Sequence, residues 1–274
     1  MKIFDFNVHL PQKIAIDVNE VIDDDLNLTG QGLIKGLNLH YDGIKEVSGV
    51  NILLFNQKLF YGDSELSLFV KNVKQKFDSF LLTALIDFRD PLVDGYLEET
   101  KLHGVSTYMF NSYLQQIEER DFPKILEICK YAEQNKKIIC IDGSYGTSKM
   151  YTYDNMKLAC YVADNITKVP IVIIHSGGYR IMEAMLLAMD KKNVMLDSSF
   201  SLNYYLGSSL EQDYTFAYKR LGSQRILFGS DIPYVNFRNA FEQQLDFFNR
   251  SKFSLEDIDN IFYKNAQKLV NGDW

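Results

Sequence analysis

The residues best suited to chemistry lie at the ends of short apolar runs. The first run closes on Asp5, Asn7 and His9, spaced by two. Later runs close on Asp87 and Arg89, on Asn111, on Asp142, on His175 with Arg180 soon after, on Asp197 and on Asp231. Imidazoles and carboxylates that converge can hold a divalent ion and lower the pKa of its water to about 7. They can also work without metal as a general acid and base. The chain has four histidines, and two of them, His9 and His175, fall at such ends. His103 precedes a run and reads as structural, and His40 lies in a connecting segment. Ser144, Ser176 and Ser230 adjoin candidate residues, but none has the GxSxG setting of a nucleophile elbow. Gly143–Ser148, GSYGTS, could cradle a phosphate through N–H groups, although it has no Walker lysine.

The runs that must position these residues are Lys2–Val8, Val50–Phe55, Phe80–Ile86, Val105–Phe110, Lys137–Ile141, Pro170–Ile174, Asn193–Leu196 and Arg225–Phe228. Most are continuously apolar, the pattern of parallel strands buried on both faces. Helical faces fill the gaps. One carries Ile125, Ile128, Cys129 and Ala132; another Ile181, Ala184, Met185 and Ala188; a third Phe237, Phe241, Leu245 and Phe248. Ser254 with Asp257 reads as a capping box ahead of a last helix. Strand and helix alternate about eight times, and a (β/α)8 barrel needs about 250 residues. The expected α/β fold is a single (β/α)8 TIM barrel, intact or distorted, filling residues 1–274 as one domain. A doubly wound sheet should show a glycine-rich turn after an early strand, and none is present. Barrel enzymes place their chemistry at the C-terminal ends of strands. Strict alternation would put Asp5, Asn7 and His9 together on the interior side.

Composition narrows the class. With 46% hydrophobic residues and a net charge of -7 over 274 residues, the chain can bury a core and is not disordered. The acidic balance and the lack of a Lys/Arg cluster exclude a dedicated nucleic-acid binder. No signal peptide and no apolar run of about 20 residues is present, so no membrane partner is expected and the expected location is cytoplasmic. Cys129, Cys140 and Cys160 form no CxxC pair and are expected to be reduced packing residues. Asp17–Asp25, DVNEVIDDD, reads as a solvated acidic loop, with a lid over the barrel mouth as the lesser reading. A homodimer is the expected assembly.

Four pieces in order carry a resemblance: VPIVIIHSGG (through Gly178), NVMLDSS (Asn193–Ser199), RILFGSDIPY (Arg225–Tyr234) and SLEDIDNIFYKNAQKLV (Ser254–Val270). The chain resembles the amidohydrolase superfamily, and within it the branch of aminocarboxymuconate-semialdehyde decarboxylase-like and pyrone-dicarboxylate lactonase-like enzymes. The resemblance implies a metal site, with ligand positions falling on Asn7, His9, Asp142, His175 and Asp231. Two depart from the pattern, since Asn7 and Asp142 each stand where a His is usual. Asn111 and Met109 likewise stand in for a His and a Lys of the fourth strand. Oxygen-rich ligation would move the preference from Zn toward Mn or Mg. Without metal, Asp142 and Asp231 would repel and one would hold its proton more tightly. One divalent ion and none both remain open.

The implied activity is hydrolysis or decarboxylation of a small-molecule substrate, with Asp231 as base and His175 as its catalytic partner. A metal-free lactonase is a close variant, and a ligand-binding protein without turnover is the alternative. Arg89, Asn111, Tyr145 and Arg180 are the candidate substrate-binding residues. If two of Arg89, Arg180 and Arg238 face the mouth, the substrate is anionic. The many tyrosines in the same loops would suit a ring-shaped molecule.

Overall fold

The structure is a computed structural model, and it describes residues 1–9, 37–38, 40–41, 43–54, 64–146 and 148–274. The acidic segment Asp17–Asp25 lies outside them.

Eight strands form in chain order: β1 (Ile3–His9), β2 (Val47–Leu54), β3 (Ser79–Leu85), β4 (Thr107–Phe110), β5 (Ile138–Asp142), β6 (Ile171–Ile174), β7 (Val194–Asp197) and β8 (Ile226–Leu227). Each pairs in parallel with the next, giving one eight-stranded sheet in the order β1 to β8. Backbone hydrogen bonds bring its edges together. Phe6 N–H donates to Phe228 O at 2.9 Å, Asp231 N–H to Asn7 O at 2.9 Å, and His9 N–H to Ile232 O at 2.9 Å. The expected (β/α)8 barrel is therefore present, with helices in the gaps between strands.

Two apolar layers follow from strand alternation. Phe4, Phe6, Leu53, Leu81, Met109, Cys140, Val172 and Leu227 pack together from seven of the eight strands, filling the barrel interior. The alternate residues, such as Ile52, Tyr108, Ile139, Ile173 and Leu196, pack against the surrounding helices. Each large apolar side chain so buried contributes about 1.5–3 kcal/mol. The expected helix faces are the buried ones: Ile125, Ile128, Cys129 and Ala132 lie inward, as do Ile181, Ala184, Met185 and Ala188. The Ser254–Asp257 capping box forms. Ser254 Oγ accepts from Asp257 N–H at 3.1 Å, and Asp257 Oδ2 accepts from Ser254 N–H at 3.0 Å. The final helix is not continuous, since Asn260–Lys264 forms a π turn between Leu255–Asp259 and Asn265–Asn271.

Two expectations are corrected. Asp5 does not share the interior side with Asn7 and His9. The β1–β2 register slips between Asp5 and Val8, and this bulge inverts the alternation. Asp5 instead accepts Tyr41 OH at 2.8 Å, Ser230 N–H at 2.8 Å and Ser230 Oγ–H at 2.5 Å, in the layer outside the strands. Cys160 is exposed, whereas Cys129 and Cys140 are buried and all three are free thiols. Its place on Asn155–Asn165 falls on the solvent side of that helix.

Candidate active site

The C-terminal ends of β1, β5, β6, β7 and β8 bring Asn7, His9, Asp142, His175, Asp197, Ser199 and Asp231 together. Backbone strain marks the same place. Among the described residues seven non-glycine residues have positive φ, and four of them, His175, Ser176, Phe200 and Asp231, lie within four residues of the ends of β6, β7 and β8. Such backbone costs of order 1–3 kcal/mol per residue and collects at functional sites.

Asp231 (φ 65°) is 4% exposed. Its Oδ1 receives His9 Nε2 at 2.9 Å and Asn7 Nδ2 at 3.1 Å. Asn7 Nδ2 also donates to Ser199 Oγ at 2.8 Å, while Asn7 Oδ1 is buried with no partner. The edge of the exposed Tyr234 ring packs on His9, centroids 5.2 Å apart.

Opposite stands a second pair. His175 Nε2 lies 3.8 Å from Asp142 Oδ2, and His175 Nδ1 lies 3.1 Å from both Ser199 O and Ser199 Oγ. Burial works against the charge on His175, but Asp231, Asp142 and Asp197 outweigh it and raise its pKa above the ordinary histidine value. Asp142 Oδ1 accepts both Ser144 N–H at 2.8 Å and Ser144 Oγ–H at 2.5 Å. Beneath the pair, Asp197 Oδ1 accepts the N–H of His175 at 3.1 Å and the hydroxyl of Ser199. Burial pushes Asp197 up to about 6, against the lowering pull of His175. Asp197 and Ser199 tie the two pairs together. Both lie in the seventh strand's LDSSF ending, which the residue types alone mark only as another polar strand end.

The other expected residues divide. Asn111 is 3% exposed, and its Oδ1 accepts Leu114 N–H at 3.0 Å. Burial, with Asp142, Tyr234 and Asp231, pushes the neighbouring Tyr113 phenol up to about 12. Tyr113 lies within electrostatic reach of two of the site's carboxylates, and the sequence marks it only as one loop tyrosine among several. Tyr145 lies on the rim, where its hydroxyl meets Asp154 at 3.1 Å and the Arg180 guanidinium. Arg180 is committed to Asp154 at 2.7 Å and to Glu183. Arg89 is engaged by Gln115 O at 2.6 Å, Gln116 O at 2.9 Å and Asp121 at 2.5 Å. Arg238 is exposed and lies 3.9 Å from Glu242. Each of the three arginines is thus paired with a neighbouring carboxylate. Within GSYGTS, Ser144 N–H is spent on Asp142 and Gly146 N–H on Met150 Sδ at 2.7 Å, and Thr147 lies outside the described residues.

A metal fits this arrangement poorly. At the two places where histidines are usual, Asn7 turns an amide N–H donor toward Asp231, and one oxygen of Asp142 is occupied twice by Ser144. The N–H end of Asn7 cannot ligate a cation, which leaves its unpartnered Oδ1 as the one neutral oxygen it could offer. Among the described residues no group of three or more His, Cys, Asp or Glu side chains is arranged to hold a metal ion.

With this geometry established, likeness to known proteins becomes informative. The Amidohydrolase family model matches residues 145–272, which contain β6, β7, β8 and two of the site residues, His175 and Asp231. The match covers a little under half of the chain, so the chain is similar to that family over its C-terminal part. An uncharacterised TIM-barrel protein from Bordetella bronchiseptica shares 14% identity over 99% of both chains, with a TM-score of 0.72. A probable 2-pyrone-4,6-dicarboxylic acid hydrolase from Acinetobacter baumannii, solved with citric acid bound, shares 15% over 99% of this chain and 100% of its own, at a TM-score of 0.65. A 2,6-dihydroxybenzoate decarboxylase complexed with 2,6-dihydroxybenzoate shares 15% over 98% of this chain and 99% of its own, at 0.62. At such identities the likeness shows the fold. No curated protein matches the chain. Among the described residues no helix is long and apolar enough to cross a membrane.

Proposed function

We propose that this amidohydrolase-like barrel hydrolyses a small lactone or ester, using acid/base side chains and no metal. One observation carries the reading: the 2.9 Å contact of His9 Nε2 with Asp231 Oδ1, reinforced by Asn7. His9 holds the carboxylate by Oδ1, so Oδ2 is the oxygen that takes a proton from water. The water oxygen adds to the carbonyl carbon, and the carbonyl electron pair moves onto its oxygen. Collapse of the adduct breaks the acyl–oxygen bond. His175, whose pKa Asp231, Asp142 and Asp197 raise against the effect of burial, gives its proton to the leaving alkoxide. Two groups so matched contribute roughly 10²–10⁴-fold each.

The activities of the similar structures, a probable pyrone-dicarboxylic acid hydrolase and a dihydroxybenzoate decarboxylase, support a small carbonyl compound as substrate. The occupied arginines favour a substrate bound by its carbonyl and its apolar body rather than by a carboxylate clamp. A panel of five- and six-membered lactones and aryl esters, assayed with chelator-treated wild type and with Asp231→Asn, tests the proposal. Turnover by the wild type that Asp231→Asn abolishes is the expected result. Turnover that survives in Asp231→Asn contradicts it.

A further inference from the structure

Phe200, three residues past the end of β7, adopts φ 50° and ψ -65°. Ser201 N–H closes back on Ser199 O at 2.5 Å, so Phe200 is the centre of a γ-turn of the rare positive-φ kind. A residue with a Cβ takes this backbone only at a cost, and glycine is the default there. The surroundings hold the turn in place. Tyr204 N–H donates to Phe200 O at 2.8 Å. Asn203 Oδ1 accepts from Gln244 Nε2 at 2.8 Å, and Asn203 Nδ2 donates to Gln243 Oε1 at 3.0 Å. The short helix Ser201–Tyr205 is thus tied to the helix Phe237–Arg250.

Glycine would make the same bend more cheaply, so what Phe200 adds is its ring. That ring meets His175 edge to face, with centroids 6.0 Å apart and planes at 71°. Its other neighbour is Tyr204, stacked at 5.8 Å and 11°. Phe200 is half-buried and Tyr204 is 69% exposed. One exposed tyrosine on a surface is ordinary. Two stacked rings that begin at the imidazole of the site and end in solvent form one continuous aromatic surface beside the mouth. Aromatic rings prefer an offset or edge-on aromatic partner over an aliphatic one of similar size. A strained backbone kept for the sake of such a surface is strain put to use.

We propose that Phe200 and Tyr204 form a subsite for an aromatic ring carried by the substrate, and so determine specificity for aryl lactones and aryl esters over aliphatic ones. The guest ring packs against the two side chains, and its attached carbonyl group lies at the His175 end. The proposal rests on the hydrolytic reading of the mouth for that carbonyl, but ring binding has a readout that needs no turnover. Lactams resist hydrolysis. 3,4-Dihydro-2-quinolinone is a six-membered lactam fused to a benzene ring, and δ-valerolactam is the same ring without it.

The test is the affinity of these two lactams, by saturation-transfer NMR titration, for the whole chain as wild type, Phe200→Leu, Tyr204→Leu and Tyr204→Phe. Leucine keeps the Cβ, and with it the backbone cost at position 200, and removes only the ring. The quinolinone should bind the wild type at least about tenfold tighter than δ-valerolactam. It should lose roughly three- to tenfold in each leucine variant and nothing in Tyr204→Phe, which keeps the ring. δ-Valerolactam should bind all four proteins alike. Circular dichroism melting shows that each variant is folded, and if Phe200→Leu is not, the exposed Tyr204→Leu carries the test. Equal affinity of the wild type for both lactams, quinolinone binding unchanged in either leucine variant, or no quinolinone binding at millimolar concentration overturns the proposal. An equal loss for both lactams in Phe200→Leu also overturns it, since that marks a role in shaping the turn alone. If no lactone or ester is hydrolysed yet the quinolinone binds in a Phe200-dependent way, the hydrolase reading falls and the ring subsite stands. If Asp231-dependent turnover is found with equal KM for 3,4-dihydrocoumarin and δ-valerolactone, the reverse holds.

Discussion

His9 Nε2 and Asp231 Oδ1 meet at 2.9 Å across the seam between β1 and β8. They come from opposite ends of the chain and are joined by the backbone bonds that close the barrel. Asn7 enters the same oxygen from the same strand. Replacing this neutral donor by a carboxylate puts like charges side by side and makes Asp231 hold its proton more tightly. Asn7→Asp should move the acid limb of the kcat/KM profile for the best lactone upward by about one pH unit. A profile that overlays the wild type would show that Asn7 does not act on Asp231.

His175 supplies the opposite limb. Its pKa is raised: burial lowers it, and Asp231, Asp142 and Asp197 raise it by more. A group with a raised folded value is fully protonated below the ordinary histidine pKa of 6.5 and loses its proton as pH climbs through the higher value. Activity that needs the imidazolium should therefore fall on the alkaline side, above pH 6.5. His175→Gln should lose that limb and roughly 10²-fold in kcat. An alkaline limb that persists in His175→Gln would assign it to another group.

Asp5 reports on stability rather than turnover. Burial pushes it up to about 7 from 3.8, against hydrogen bonds from Ser230 and Tyr41. A carboxyl with a raised folded value favours the folded state while protonated, fully below 3.8, and loses that contribution as pH rises through about 7. The stability of wild type minus that of Asp5→Asn, from urea unfolding, should fall between about pH 4 and pH 8 by more than about 1 kcal/mol. A difference that stays level with pH would mean that Asp5 is ionised throughout.

Gly229 sits where the site is tightest. A Cβ there would lie 2.4 Å from Asp197 Oδ2 and 2.9 Å from the Cβ atoms of Asn7 and Ser199. Gly229→Ala should cost about 1–3 kcal/mol, as overpacking does, and should lower kcat together with stability. A variant with unchanged Tm would show that β8 can yield at this point.

Much of this was readable from residue types. The apolar runs located all eight strands because parallel strands are buried on both faces, so continuity of Val, Ile and Leu is itself the signal. The strand-end rule then found His9, Asp142, His175 and Asp231. What stayed hidden depends on register and on long-range pairing. The bulge between Asp5 and Val8 leaves no mark in IFDFNVH, so Asp5 was assigned to the wrong side. The commitments of Arg89 to Asp121 and of Arg180 to Asp154 span turns whose geometry composition does not specify. Ser199 and Tyr113 gain their meaning only from neighbours that other strands bring in.

The account turns on whether water is activated by the His9–Asp231 pair or by an ion. The deciding measurement is kcat/KM for the best lactone before and after exhaustive chelation, with the metal content of the same samples. The predicted result is equal kcat/KM in both samples, independent of bound metal and abolished by Asp231→Asn. Activity that disappears with the chelator and returns on adding Zn, Mn or Mg would contradict it.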